Sequence, residues 1–182
     1  IESWISQEHL KEFPQLLIDR EALDSLRLVR RDKGAGKWMA TDVDDSDWST
    51  IQVPGNWRTN GMDVNGVVWY RKDFEVPASM VGRHAKLYMG TLIDSDSVFV
   101  NGCFVGSTAY MYPPRKYNIP AGVLREGRNN ITVKLTANSA NGGFVEEKPY
   151  KIVGDEAEIN LVGTWKYRVG MNLNEAGKYV KR

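Results

Sequence analysis

Side chains suited to chemistry are few and scattered in this sequence. It has two histidines, His9 and His84, and one cysteine, Cys103. A hydrolytic nucleophile needs a base within reach, and neither histidine lies in an Asp-x-x-His or Gly-x-Ser-x-Gly context. His9 falls in a helical stretch and His84 follows Gly82-Arg83 in a turn, so both read as surface histidines. A zinc site needs three or more ligands at local spacing, which these residues do not supply. Carboxylates cluster twice, at Asp42, Asp44, Asp45 and Asp47, and at Asp94 and Asp96. Paired acids serve glycoside hydrolysis or hold calcium. Here they match no calcium-loop spacing, and turn-forming residues in solvated loops account for them, with calcium at the first cluster kept as the alternative. The sequence therefore assigns no catalytic residue, no metal ligand set and no cofactor.

Aromatic residues are the richer signal, with six Trp and eight Tyr. Sugars stack their C–H faces on aromatic rings while polar groups fix their orientation. Two loops put an aromatic beside a cation: Gly55-Asn56-Trp57-Arg58 and Tyr110-Met111-Tyr112-Pro113-Pro114-Arg115. Trp57, Arg58, Tyr110, Tyr112 and Arg115 are the candidate carbohydrate-binding residues. The competing reading is that these rings close the open ends of a β-sandwich. Gly142-Gly143 makes a flexible loop that can approach a ligand closely or serve as a plain turn. Asn130-Ile131-Thr132 fits a glycosylation acceptor, but it enters a strand.

The composition bounds what partners to expect. The chain has 182 residues, with Lys+Arg 24 against Asp+Glu 23 and a net charge of +1. That balance gives no reason to expect nucleic acid or an anionic membrane. No apolar run approaches the roughly 20 residues of a membrane span. Cys103 reads as a small apolar packing residue within a hairpin. The chain starts at Ile1 and ends in a polar tail, which we read as a fragment of a longer protein.

The elements that must position these residues fall into two regimes. Residues 1–33 carry helical spacing: Ser6 can cap Gln7–Phe13, and Ile18, Ala22, Leu26 and Val29 recur on one face. Lys33–Lys37, with Gly34 and Gly36, reads as a linker. From Trp38 the period becomes two. Ile51 and Val53 precede Pro54-Gly55; Val68, Tyr70, Phe74 and Val76 share a face; Ala85, Leu87 and Met89 alternate with polar neighbours. Asn101-Gly102 between apolar runs signals a type I′ hairpin. Ile131, Val133, Leu135 and Ala137 alternate cleanly, and Trp165, Tyr167 and Val169 do so again. The expected fold is mainly β, an antiparallel β-sandwich with a short N-terminal helical flank. The expected divisions are a flank over 1–36, a sandwich over 37–170 and a polar tail over 171–182.

Several strings line up in order: Val53-Pro54-Gly55-Asn56-Trp57, Trp69-Tyr70-Arg71, Val76-Pro77, Val98-Phe99-Val100-Asn101-Gly102, Val105-Gly106 and Gly127-Arg128-Asn129. Together they resemble the galactose-binding-like jelly roll, in the version found in sugar-binding domains of β-galactosidases. The closer resemblance is to bacterial sialate O-acetylesterases, whose jelly roll is inserted into a serine hydrolase of the SGNH type. It is carried by Ile1–Ser6, by Asp94-Ser95-Asp96 with Pro114–Tyr117, and by Leu161–Tyr167.

The esterase resemblance implies a non-catalytic ancillary domain of a serine-type carbohydrate esterase that removes acetyl esters from sialic acid. The SGNH-type hydrolase domain of the parent chain would be its partner, with glycan as a further one. The catalytic Ser and His would lie outside this chain. The same resemblance implies a bacterial periplasmic or extracellular location. The alternatives are an autonomous carbohydrate-binding module, the sugar-binding domain of a β-galactosidase-like glycoside hydrolase, and a structural spacer.

Overall fold

The computed structural model describes residues 23, 27 and 29–176. Of the expected helical flank, Leu23, Arg27 and Val29 are helical. Ser6, His9 and the Ile18, Ala22 and Leu26 positions lie outside the described residues.

The rest is β. In chain order the strands are β1 (Ser49–Val53), β2 (Gly55–Asn56), β3 (Gly66–Val76), β4 (Ala85–Met89), β5 (Leu92–Ile93) and β6 (Ser95–Val100). They continue as β7 (Cys103–Thr108), β8 (Lys116–Ile119), β9 (Gly127–Ala137), β10 (Gly143–Phe144), β11 (Tyr150–Val153), β12 (Glu158–Asn160) and β13 (Gly163–Asn172). A six-stranded sheet runs β1-β13-β3-β9-β6-β7, a four-stranded sheet runs β12-β11-β4-β8, and a small sheet runs β2-β10-β5. The pairings are antiparallel. This is the antiparallel β-sandwich that the alternation predicts.

One core joins the sheets. Val68 and Tyr70 of β3, Val133 and Leu135 of β9, and Leu87 and Met89 of β4 are almost wholly removed from solvent and belong to it. Side chains two apart on a strand point the same way, so each apolar alternation supplies one wall. The Asn101-Gly102 turn has φ of 49° and 78°, and it pairs Val100 with Cys103. These are the two positive φ angles of a type I′ turn.

The six-stranded sheet is also covered on its outer face. Trp48, Val67 and Trp69 form a second buried cluster, with Trp38, Met39, Val43, Phe99 and Met171 packed against it. Residues 32–48 supply this cover, which corrects the reading of Lys33–Lys37 as a linker. Lys33 N–H bonds the Gly170 carbonyl at 2.9 Å, and Trp69 Nε1–H bonds Asp32 Oδ1 at 2.9 Å. Gly34 is required there: a Cβ would meet the Trp69 ring at 2.6 Å. Cys103, expected as a packing residue, is an exposed free thiol at the tip of the hairpin.

Candidate functional site

The loop from Tyr110 to Arg115 leaves β7 and enters β8. Arg115 fixes its shape. The backbone N–H of Arg115 bonds the Gly90 carbonyl at 2.9 Å, and its carbonyl receives Met89 N–H at 3.0 Å, which extends the β4–β8 pairing. The side chain turns inward. Nε donates to Asp96 Oδ1 at 2.7 Å, with both side chains 0% exposed. Nη1 donates to the carbonyls of Met111 (2.9 Å) and Pro113 (2.8 Å), and Nη2 to that of Asp94 (2.8 Å). Tyr117 donates to the other Asp96 oxygen at 2.5 Å, and its hydroxyl also meets Thr108 Oγ1 at 2.7 Å. Burial pushes the Asp96 carboxyl above its ordinary range, against the hydroxyl of Tyr117 and the guanidinium of Arg115. Burial and the Asp96 carboxylate push the Tyr117 hydroxyl up as well.

That inward clamp sets what the loop displays outward. Tyr110 is 58% and Tyr112 79% exposed, with ring centroids 6.5 Å apart. Two guanidinium bonds hold the carbonyls on either side of Tyr112, so the tyrosine pair stands on a braced turn. Such a pair presents apolar ring faces beside polar hydroxyls, the surface that saccharides stack on.

The other candidate loop is built differently. Trp57 is 0% exposed, and its Nε1–H bonds the Tyr70 hydroxyl at 2.6 Å. Its ring packs within the core and leaves no face for a ligand. Burial raises the Tyr70 hydroxyl far above its ordinary pKa. Arg58 is exposed on the following turn. Asn56 anchors that turn, accepting Thr59 N–H on Oδ1 at 2.8 Å. Between this turn and the Gly142-Gly143 loop opens a cleft of about 430 Å³, lined by Asn56, Thr59, Asn141 and Glu146 with apolar Ile93 and Phe144. Trp57 N–H bonds the Gly142 carbonyl at 2.8 Å, so the two loops form one rim.

Of the five candidate residues, the structure places Trp57 and Arg115 inside and Arg58, Tyr110 and Tyr112 outside. It brings together the two tyrosines. The polar rim at Asn56, Thr59 and Asn141 borders the two loops that the sequence singles out, but none of the three is among the five candidates.

Of the clustered acids, Asp44, Asp45, Asp47 and Asp96 have side-chain partners. Asp44 accepts Ser46 N–H at 3.0 Å, and Asp47 pairs with Arg168 at 2.8 Å. Asp45 accepts Arg71 Nε and Lys166 Nζ, each at 3.0 Å. Burial opposes ionisation of Asp45, but Lys166 and Arg71 outweigh it and hold the carboxyl below its ordinary value. Among the described residues no three His, Cys, Asp or Glu side chains converge to hold a metal ion. Asn130, the glycosylation match, is buried and donates to Asp73 Oδ1 at 3.0 Å. His84 is exposed.

Comparison with known proteins decides between the two resemblances. Residues 36–141 match the family described as the β-galactosidase second all-beta domain. A putative beta-glucuronidase of Formosa agariphila is 25% identical over 143 residues, which cover 71% of this chain and 13% of that protein. The chain thus spans about an eighth of the curated relative it matches. A glycosyl hydrolase family 2 member from Bacteroides cellulosilyticus has the same fold at 20% identity, with a TM-score of 0.50 over 71% of this chain and 18% of that one. A beta-glucuronidase of an uncultured Clostridium shares it at 14% identity, with a TM-score of 0.50 over 74% of this chain and 35% of that one.

These findings overturn the sialate O-acetylesterase resemblance. With it go the serine-type carbohydrate esterase as parent and the SGNH-type hydrolase domain as partner. The physical reason lies in what the quoted strings do. Of those that carried the esterase resemblance, Asp96 with Arg115 braces a loop, and Trp165, buried on β13, donates Nε1–H to the Leu161 carbonyl at 2.7 Å. Such strings report a fold, and a fold serves more than one enzyme class. By the match over more than half its length, the chain belongs to the family of β-galactosidase second all-beta domains.

Proposed function

We propose that this chain is the ancillary, non-catalytic β-sandwich domain of a glycoside hydrolase that cleaves β-glucuronides or β-galactosides. The observation that carries this is the family match over residues 36–141, joined to the small share of its relative that the chain spans. The carboxylate pair that glycoside hydrolysis needs belongs, on this reading, to the remainder of the parent protein. The domain's part is to hold glycan. Tyr110 and Tyr112 offer ring faces, and the cleft at Asn56, Thr59 and Asn141 offers amides and a hydroxyl beside apolar Phe144. Contacts of this kind orient a substrate without touching the reacting atoms. The glycans would be met in the periplasm or outside the cell; no helix among the described residues is long and apolar enough to cross a membrane.

A second reading, an autonomous carbohydrate-binding module, is favoured by the exposed tyrosine pair. Titration of the isolated chain with methyl β-glucuronide and methyl β-galactoside tests both. Saturable binding lost in Tyr112→Ala supports a glycan-holding surface. No binding at millimolar glycoside rules out the autonomous module and leaves a domain that acts only beside its catalytic partner.

A further inference from the structure

A second cleft, of about 280 Å³, opens where β3, β9 and the β6–β7 turn meet the covering segment at Thr41, Val43 and Asp45. Arg71, Arg125 and Arg128 line it, against two carboxylates, Asp45 and Asp73. Both carboxylates are already engaged. Asp45 has Arg71 on one oxygen and Lys166 on the other. Asp73 has Arg128 on Oδ2 and Asn130 Nδ2 on Oδ1.

The amide walls are used up as well. Asn101 Nδ2 donates to the Val123 carbonyl and to Asn129 Oδ1, and Asn129 Nδ2 donates to the carbonyls of Arg125 and Gly127. What remains unspent is cationic. Arg71 is 2% exposed, and its Nε and Nη1 are bonded, yet Nη2 has no protein partner among the described residues. The Arg125 guanidinium makes no hydrogen bond or ion pair among the described residues; only its backbone is tied, to Asn129. Arg71 Nη2 is not among the buried donors left without a partner, so it opens onto the cleft, where an acceptor oxygen can reach it.

We propose that this cleft is a binding site for an oxyanion, the carboxylate or sulfate of a small molecule, held by Arg71 and Arg125 with Arg128 at the rim. Guanidinium groups present planar pairs of donors that match such oxygens. Arg71 supplies the fixed donor, since four bonds hold it. Arg125 supplies an exposed donor with no bond of its own among the described residues. The site is separate from the Tyr110–Tyr112 loop and stands whichever glycoside the parent protein cleaves.

An amide NMR titration of the 182-residue chain tests the site, using sodium sulfate, sodium glucuronate and, as the neutral probe, glucose. The expected result is saturable shifts at Asn101, Arg125 and Asn129 with sulfate or glucuronate and none with glucose. Sulfate alone saturating would assign a sulfate site, and glucuronate alone a carboxylate site. Arg125→Gln, a change at an exposed side chain, is expected to weaken binding about tenfold, the effect of losing one charge-assisted hydrogen bond. Arg128→Gln, at the exposed rim, is expected to weaken it less. The proposal is overturned if sodium chloride of equal ionic strength reproduces the shifts, if they fail to saturate, or if Arg125→Gln binds as the parent chain does.

Discussion

The guanidinium of Arg115 and the carboxylate of Asp96 meet at 2.7 Å with neither side chain exposed to solvent. Asp96 is shared with the Tyr117 hydroxyl, and Arg115 with three backbone carbonyls. A buried ion pair is not a net stabiliser by default, because two charges must leave water. Breaking one is costly all the same, because the survivor stays buried without a partner. Its consequence here is geometric: it ties the Tyr110–Pro114 loop to β6 and fixes where two exposed rings stand.

Arg115→Met should therefore destabilise the chain by about 3–5 kcal/mol, the cost of stranding a buried charge. Replacing both partners, Asp96→Leu with Arg115→Met, should cost much less than the sum of the single changes. Urea unfolding of the four proteins in a double-mutant cycle checks this. An additive cycle would mean the pair is not coupled.

Trp57→Ala should cost about 3–5 kcal/mol, as expected for emptying a buried aromatic site. Tyr70→Phe, which strands Trp57 Nε1–H, should cost about 1–3 kcal/mol. By contrast Tyr112→Ala, at a ring 79% exposed, should change stability by no more than about 0.5 kcal/mol. Denaturation midpoints at constant m-value separate these outcomes.

Alkaline pH should unfold the protein. Tyr70, Tyr117 and Tyr150 have hydroxyls raised above their ordinary pKa of 10.0, in each case chiefly by burial. A group whose pKa is raised on folding contributes stability that is whole below the unfolded value and lost as pH rises through the folded one. Stability should hold up to about pH 10 and fall above it. In a spectrophotometric titration these three phenols should ionise only together with loss of near-ultraviolet dichroism. Phenolate formation at all eight tyrosines before unfolding would contradict this.

Much of the fold is legible in the sequence, because alternation writes one wall of the core directly. The Val68–Tyr70 and Ile131–Ala137 faces and the Asn101-Gly102 turn are read without ambiguity. The outer cover was not, because glycines at 34 and 36 suggest a linker when Gly34 is in fact small so that two Trp rings can pass. A signal was available in Gly66–Tyr70, apolar at every position after the glycine, the pattern of a strand buried on both faces. Arg115 was misplaced for a related reason. It stands in phase with buried Tyr117 and Ile119 on β8, as Asp96 stands in phase with buried Val98 and Val100 on β6. Two opposite charges in core phase announce a buried pair. Trp57 gives no such sign, since it lies on a turn where period two does not apply.

The central claim is that the chain is a non-catalytic domain of a glycosidase. It is tested most directly by assaying p-nitrophenyl β-glucuronide, β-galactoside and acetate with two proteins: this chain alone, and the whole product of the reading frame that encodes it. The account predicts no turnover by the chain alone, and release of p-nitrophenol by the whole product from one of the two glycosides but not from the acetate. Glycoside hydrolysis by the chain alone, or esterase activity without glycosidase activity in the whole product, would contradict it.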